Sequence, residues 1–150
     1  MKNHHKQQLL SIVLLIALAF LLNLLWELLH YQLYIDLSGI SRYLHILLAS
    51  FTDAIIILAI FIIVSLKNKN LNWLNKPSRL DYALIIILSL LIAIAIETWA
   101  LNIGRWAYNN FMPTIFGIGL TPLIQLAVTS LVALWMVRKF KGRFHRGNRW

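Results

Sequence analysis

The side chains of this chain that could do acid–base chemistry are few, and they interrupt long apolar runs. Glu27, Asp53 and Glu97 each lie in a stretch made mostly of Leu, Ile, Ala and Val. A charged aspartate at the centre of a membrane helix costs about 2.5 to 3.5 kcal/mol on insertion scales, and a protonated one costs less. Neutral carboxylic acids in an apolar pocket suit protonation or hydration of an alkene in a lipid-soluble substrate. Glu27, His30, Asp53 and Glu97 are therefore the candidate catalytic residues.

The first apolar run carries a stripe of polar side chains. Asn23, Glu27, His30 and Tyr34 follow one another at intervals of four, three and four residues, which keeps them within about 60° of arc on a helix. Such a stripe must face other helices or a wet cleft rather than lipid. Glu27 and His30 also have the i, i+3 spacing of carboxylate-bridged metal sites, but a dinuclear site needs two such pairs. A mononuclear site stays open as an alternative, and we expect neither a metal nor another cofactor.

The most varied stretch is residues 97–125, which hold three of the six glycines and two of the three prolines. Gly104 is a natural helix end, because glycine accepts the left-handed conformation after a C-cap. A chain that folds back there would bring Arg105 towards Glu97, so we predict an ion pair beneath a lid; contact of Arg105 with lipid headgroups is the alternative. The candidate substrate-binding residues are Asn23, Trp26, Arg105, Trp106, Tyr108, Thr121 and Gln125.

Simpler roles stay open for several of these residues. Asn23 and Gln125 can join helices by hydrogen bonds, and the tryptophans can belong to an interfacial aromatic belt. Glu27 and His30 lie near the edge of their run, where charge costs little, so a structural role is an equal alternative for this pair.

Composition places the chain among polytopic membrane proteins. Its 150 residues are 60% hydrophobic and 13% charged, with a mean hydropathy of +0.73, which is too apolar for an ordinary soluble domain. It contains no cysteine, so disulfides, thiolate metal sites and cysteine nucleophiles are excluded. Twelve of its fourteen lysines and arginines fall in alternate connections between the apolar runs, as the positive-inside rule requires of cytoplasmic segments. The net charge of +9 therefore indicates orientation and contact with anionic lipids, and we expect no nucleic-acid partner.

These patterns predict a single all-α domain, a membrane four-helix bundle with both termini in the cytoplasm. The helices are expected at about 9–34, 44–66, 80–101 and 119–137, each near the ~20 residues that cross a bilayer. The basic head and Ala17-Leu18-Ala19 are similar to a secretory signal, but the apolar run continues and indicates an uncleaved anchor. Ser78, three residues before Asp81, has the spacing of a cap at the start of the third helix.

One strongly polar residue on each predicted helix falls at a similar depth. At 1.5 Å per residue, Asn23, Asp53, Glu97 and Gln125 all lie roughly 20 to 22 Å from the cytoplasmic end of their helices. We therefore predict that these four side chains approach one another across the bundle, in the outer half of the membrane.

Two segments resemble known proteins. The residues Gly104-Arg105-Trp106-Ala107-Tyr108, Met112-Pro113 and GIGLTPL at 117–123, with NLLWELLH at 23–30, resemble a family of small uncharacterised bacterial membrane proteins over most of the chain. More distantly, residues 97–125 are similar to membrane carotenoid enzymes of the lycopene-cyclase and carotenoid-hydratase kinds. The cyclases carry a pair of glutamates after the proline, where this chain has Ile124 and Gln125. In this comparison Glu97, which precedes the aromatic segment, is the remaining candidate for a catalytic acid.

The resemblance implies a multi-pass protein of the bacterial inner membrane. Together with the four polar residues at a similar depth, which we call the polar layer, the resemblance favours acid–base chemistry on an isoprenoid- or carotenoid-like lipid. Membrane lipids and a lipid-soluble substrate are then the expected partners. The alternative is a non-catalytic membrane subunit, or a small-solute or proton permease. Four helices bury little surface for a transport pathway, so a permease would act as a homo-oligomer.

Overall fold

Four long helices make up most of the chain in a computed structural model, which describes the backbone of residues 2–147 and the side chains of residues 7–141. Within that part of the chain they are α1 (Lys2–His30), α2 (Arg42–Lys67), α3 (Arg79–Asn102) and α4 (Leu120–Gly147). All four are long and apolar enough to cross a membrane. The predicted all-α architecture of four potential membrane spans is confirmed at this level.

The helices form a ring in sequence order. α1 packs between α2 and α4, and α3 packs along α4, whereas α2 and α3 touch over a shorter length. On α2 the core positions Ala54, Ile57, Phe61 and Val64 recur every three or four residues and are buried, which is the period of one helix face. The apolar core contains Leu15 and Ala19 of α1, Ile85 of α3, and Leu126, Ala133, Leu134 and Val137 of α4.

One end of the ring holds the connection between α2 and α3, and we call it the basic end (residues 7–8, 67–79 and 138–141). Ser78 and Asp81 form the predicted capping box: the Asp81 amide donates to the Ser78 hydroxyl at 3.2 Å, and the Ser78 amide donates to the Asp81 carboxylate at 2.7 Å. Lys67 donates to the other oxygen of Asp81 at 2.6 Å. Trp73 is buried and donates to Ser65 at 2.9 Å. This loop is therefore fixed to the core by buried polar contacts.

The opposite end, which we call the aromatic end (residues 31–41 and 103–119), differs from the sequence prediction. α1 was expected to continue to about residue 34, but it ends at His30 and is followed by a 3₁₀ turn, Tyr31–Leu33. The next residues form β1 (Tyr34–Asp36), which pairs antiparallel with β2 (Trp106–Tyr108). The prediction was wrong because backbone hydrogen bonds from a segment 70 residues away compete with the helix, and no local signal marks that partner.

The segment expected to be a loop also contains a tight hairpin, β3 (Thr114–Ile115) with β4 (Ile118–Gly119). Its two central residues, Phe116 and Gly117, have φ of 51° and 80°, as a type I′ turn requires. Gly104 has φ of 66° and follows the last turn of α3, where the Arg105 amide donates to the carbonyl of Ala100 at 2.9 Å. The predicted glycine end of the third helix is thus confirmed.

The outer limits of the first and last helices were also underestimated. α1 begins at Lys2 rather than near residue 9, and α4 runs to Gly147 rather than to about 137. Lysine, arginine and glutamine are good helix formers, and cations are favourable in the last turns of a helix. The polar flanks that mark the limit of an apolar run therefore do not mark the end of its helix.

Candidate functional site

A cavity of about 300 Å³ lies among the helices next to the aromatic end. Each helix contributes at least one polar side chain to its wall, among them Glu27 from α1, Asp53 from α2, Glu97 from α3 and Gln125 from α4. Three carboxyl groups from the helices therefore share one small space. The rest of the wall combines aromatic and aliphatic side chains, including Trp106, Ile96 and Leu126.

Gln125 connects three of these helices through its side-chain amide. Its Nε2 atom lies 2.9 Å from Asp53 Oδ2, 3.0 Å from Glu27 Oε1 and 3.2 Å from Asn23 Oδ1. Thr129 also donates to Asn23 Oδ1, at 3.1 Å. An amide nitrogen carries two hydrogens, so three acceptors compete for two donors. Of the four residues predicted to approach one another, Asn23, Asp53 and Gln125 meet across the bundle, where Glu27 joins them, and Glu97 lines the same cavity without a hydrogen bond to the other three.

Glu97 lies in the same cavity but has different partners. Its carboxyl group accepts hydrogen bonds from the Tyr108 hydroxyl, from Trp106 Nε1 at 3.3 Å and from the Tyr34 hydroxyl at 3.5 Å. Burial and the hydrogen bond to Glu97 raise the pKa of Tyr108 above its ordinary value, so this phenol stays protonated and acts as a donor. Because β1 carries Tyr34 and β2 carries the other two donors, the strand pairing that ends α1 early also assembles the surroundings of Glu97.

The predicted ion pair between Arg105 and Glu97 is wrong. Among the side chains of residues 7–141, three pairs bring a basic nitrogen within 4.0 Å of a carboxylate. They are His30 with Glu27, His45 with Asp36 and Lys67 with Asp81, and none includes Arg105. Arg105 lines the cavity, and its Nε atom is buried without a hydrogen-bond partner among the described residues. Three neutral donors already occupy the oxygens of Glu97, which removes the need for a cation there.

The other predicted site residues lie around the cavity rather than on its wall. His30 is buried, with Nδ1 2.8 Å from the Trp26 carbonyl oxygen and Nε2 3.8 Å from Glu27. Trp26 has a buried Nε1 with no described partner, and Thr121 donates to Met112 Sδ at 3.2 Å. Asn23 and Tyr108 reach the site through the residues that they bind. Glu27, Asp53, Glu97, Arg105, Trp106 and Gln125 are the predicted residues that line the cavity.

Sequence reasoning missed a second polar group on the cavity wall. Asp36, at the end of β1, and His45, in the first turns of α2, both line the cavity, and His45 Nδ1 lies 2.7 Å from Asp36 Oδ2. The signal was present, because His45 is the one histidine within the second apolar run. Its partner could not be assigned, since a nine-residue separation across a turn has no fixed geometry.

Within residues 7–141, no group of three or more His, Asp or Glu side chains is arranged to hold a metal ion. Comparison of the chain with protein-family models, with curated proteins and with solved structures finds no match. Fold and site together define a four-helix protein whose helices are long and apolar enough to cross a membrane, with an acidic cavity near one end of these helices.

The partners of Glu97 can be tested by double-mutant cycles on stability in lipid nanodiscs. We expect Glu97→Gln and Tyr108→Phe to be non-additive by about 0.5 to 3 kcal/mol, because the two side chains share a hydrogen bond. Glu97→Gln and Arg105→Ala should add to within about 0.5 kcal/mol, because they share none. Strong coupling of Arg105 to Glu97, with none of Tyr108, would contradict the observed site.

Proposed function

We propose that this protein is an enzyme of the bacterial inner membrane that performs acid–base chemistry on an unsaturated, isoprenoid-like lipid. The observation that carries the proposal is the cavity itself, in which Glu27, Asp53 and Glu97 converge from three helices. Three acids in one apolar site are costly to a membrane protein and mark a functional site by default. The resemblance of residues 97–125 to carotenoid enzymes supports the same class of substrate.

The position of the cavity supports entry of the substrate from lipid. Leu48 and Thr52 of α2 and Trp99 of α3 line the cavity and are also exposed on the outside of the bundle. They belong to α2 and α3, which have the shortest contact of any two neighbouring helices in the ring. A hydrophobic chain can pass between these two helices without crossing water, and its reactive end can then reach the acids.

The two deepest acids have hydrogen bonds suited to different roles. Asp53 accepts one hydrogen bond, from Gln125 to Oδ2, and Oδ1 has no partner among the described residues. A proton on Asp53 can therefore be delivered to an alkene carbon, which leaves a carbocation on the neighbouring carbon. The Glu97 carboxylate and the face of Trp106 would stabilise that positive charge. Glu97 then takes a proton from the adjacent carbon, or from a water that adds to the cation, so that atoms and charge balance.

Transport is the weaker alternative for this site. Towards the basic end, the space between the helices is filled by the apolar core, which includes Leu15, Ile57, Ile85 and Leu134. The cavity therefore ends within the bundle, as an enzyme pocket does. A permease or subunit role would need the interface of a homo-oligomer.

Deuterium incorporation tests the proposed reaction directly. The protein should be purified from its native membranes, and the lipids that accompany it identified by mass spectrometry. Those membranes should then be incubated in D₂O, and we expect deuterium at a carbon of the co-purified isoprenoid. Ile124→Val, a change at an exposed neighbour of Gln125, should leave incorporation unaltered. Co-purification of phospholipids alone, with no deuterium in any unsaturated lipid, would overturn the proposal.

Orientation in the membrane is a separate prediction that the basic residues support. The chain has no cysteine, so single cysteines can be placed at Asn75 in the basic end and at Phe116 in the hairpin. Phe116 is fully exposed and serves as the matched control. We expect an impermeant maleimide added to intact cells to label Phe116→Cys, and to label Asn75→Cys only after lysis. The reverse pattern would place the acidic cavity in the cytoplasmic half.

A further inference from the structure

Asp36 and His45 form a polar pair at the wall of the cavity that the chemistry proposed above does not use. His45 Nδ1 lies 2.7 Å from Asp36 Oδ2, and the side chains are 14% and 15% exposed. Asp36 comes from the end of β1, directly opposite Trp106 in the strand pair. The pair therefore lies where the cavity meets the aromatic end.

The contacts of Asp36 keep it a hydrogen-bond acceptor. Oδ1 accepts from the Ser38 amide at 2.9 Å and the Ser38 hydroxyl at 2.6 Å, and Oδ2 accepts from the Tyr31 hydroxyl at 2.7 Å. Burial acts to raise the pKa of Asp36, but its hydrogen bonds with Ser38, Tyr31 and His45 outweigh it and hold the pKa well below the usual range. An ionised Asp36 can only accept, so Nδ1 of His45 carries the hydrogen between them.

The remaining nitrogen of His45 is available to the cavity. Its imidazole ring is held by Tyr31 on one side and Trp106 on another, each with ring centroids 6.0 Å away. Nε2 has no hydrogen-bond partner among the described residues, while the side chain lines the cavity. With the hydrogen on Nδ1, a neutral ring presents Nε2 as a proton acceptor.

Charged groups surround this pair on several elements. Arg42 of α2 lies over the Tyr31 ring, with its guanidinium carbon 5.0 Å from the centroid. Arg105, from the turn after α3, shares the cavity wall with the pair. Besides Asp36, the acids on that wall are Glu27, Asp53 and Glu97.

We propose that Asp36 and His45 are an acid–base dyad that moves protons between the cavity acids and the water at the aromatic end. This inference rests on the proposed function, in which each turnover, whether isomerisation or hydration, leaves Asp53 without a proton and Glu97 with one. Nε2 of His45 takes the proton from Glu97 and passes a proton to Asp53, either the same one or one exchanged with water, so the cycle is restored without net gain or loss. Histidine is suited to this role because it exchanges protons readily near neutral pH.

Determining which ring nitrogen of His45 carries the hydrogen tests the dyad without any substrate. Full-length protein with ¹⁵N-labelled histidine and tryptophan should be studied by NMR in nanodiscs of phosphatidylethanolamine and phosphatidylglycerol, and the His45 signals identified by their loss in His45→Gln. In the neutral ring we expect the hydrogen on Nδ1, and we expect Asp36→Asn to move it largely to Nε2. A hydrogen on Nε2 in the unaltered protein, or no change in Asp36→Asn, would overturn the dyad. The indole signal of Trp73, a buried side chain in the basic end, reports that each variant is folded.

Comparing single-turnover with steady-state deuterium labelling distinguishes a failure of this inference from a failure of the proposed function. His45→Gln should still label one substrate molecule per enzyme with deuterium, since Asp53 and Glu97 are intact, but its steady-state rate should fall by about 10²-fold. Tyr43→Phe, at an exposed neighbouring position of α2, should match the unaltered protein. An unchanged steady-state rate in His45→Gln refutes proton transfer by the dyad. If the unaltered protein labels no lipid, the proposed reaction fails, and with it the proton-transfer role of the dyad; the tautomer experiment still decides whether the dyad exists.

Discussion

Asp53→Asn should reduce the steady-state rate of deuterium transfer to the lipid by about 10²- to 10⁴-fold, the usual contribution of a positioned general acid. Asparagine has nearly the size of aspartate and can still accept the hydrogen bond that Gln125 gives to Oδ2 at 2.9 Å. It has no acidic proton to deliver. The loss should therefore appear in the chemical step, while the amount of co-purified isoprenoid stays the same.

Glu97→Gln gives the matched comparison. It should also lower turnover, because Glu97 is the proposed base, but it leaves Asp53 able to protonate the substrate. We expect single-turnover labelling to survive in Glu97→Gln and to vanish in Asp53→Asn. Equal loss of bound lipid in both variants, with normal turnover of what remains, would show that these acids bind the substrate rather than transform it.

Gln125→Leu should lower the free energy of unfolding in nanodiscs by about 1 kcal/mol, since its amide nitrogen has two hydrogens to donate. Its amide contacts Asn23, Glu27 and Asp53 on two other helices, and hydrogen bonds between membrane helices contribute about 0.6 kcal/mol each on average. Leucine fills a similar volume, so the loss reports polar contacts and not a cavity. Ile124→Leu, at the adjacent exposed position, should change stability by less than about 0.5 kcal/mol.

Gln125→Leu also distinguishes a purely structural role of Gln125 from a role in positioning the proton donor. If Gln125 only joins helices, Gln125→Leu should lose stability and keep the turnover per folded molecule. If Gln125 also positions the proton donor, turnover should fall together with stability, and the rate in Gln125→Leu should approach that of Asp53→Asn. We expect the second result, because Gln125 is the one described donor to Asp53.

Much of this protein could be predicted from its sequence because a bilayer restricts the solutions open to a chain. A backbone in lipid must satisfy its own hydrogen bonds, so four apolar runs become four helices. A buried polar side chain must find a polar partner, so matching depths were enough to bring Asn23, Asp53 and Gln125 together. The glycine at 104 and the Ser78–Asp81 cap were predictable because they depend on neighbours in the chain.

The surroundings of Glu97 and the Asp36–His45 pair were decided by tertiary structure alone. Both depend on β1 pairing with β2, and that pairing is between segments far apart in sequence, whose register no local propensity specifies. Charge suggested Arg105 as the partner of Glu97, but three neutral donors took that place. A carboxyl group can be satisfied by any donor within reach, so the residue types in a sequence limit its possible partners, and only the fold selects among them.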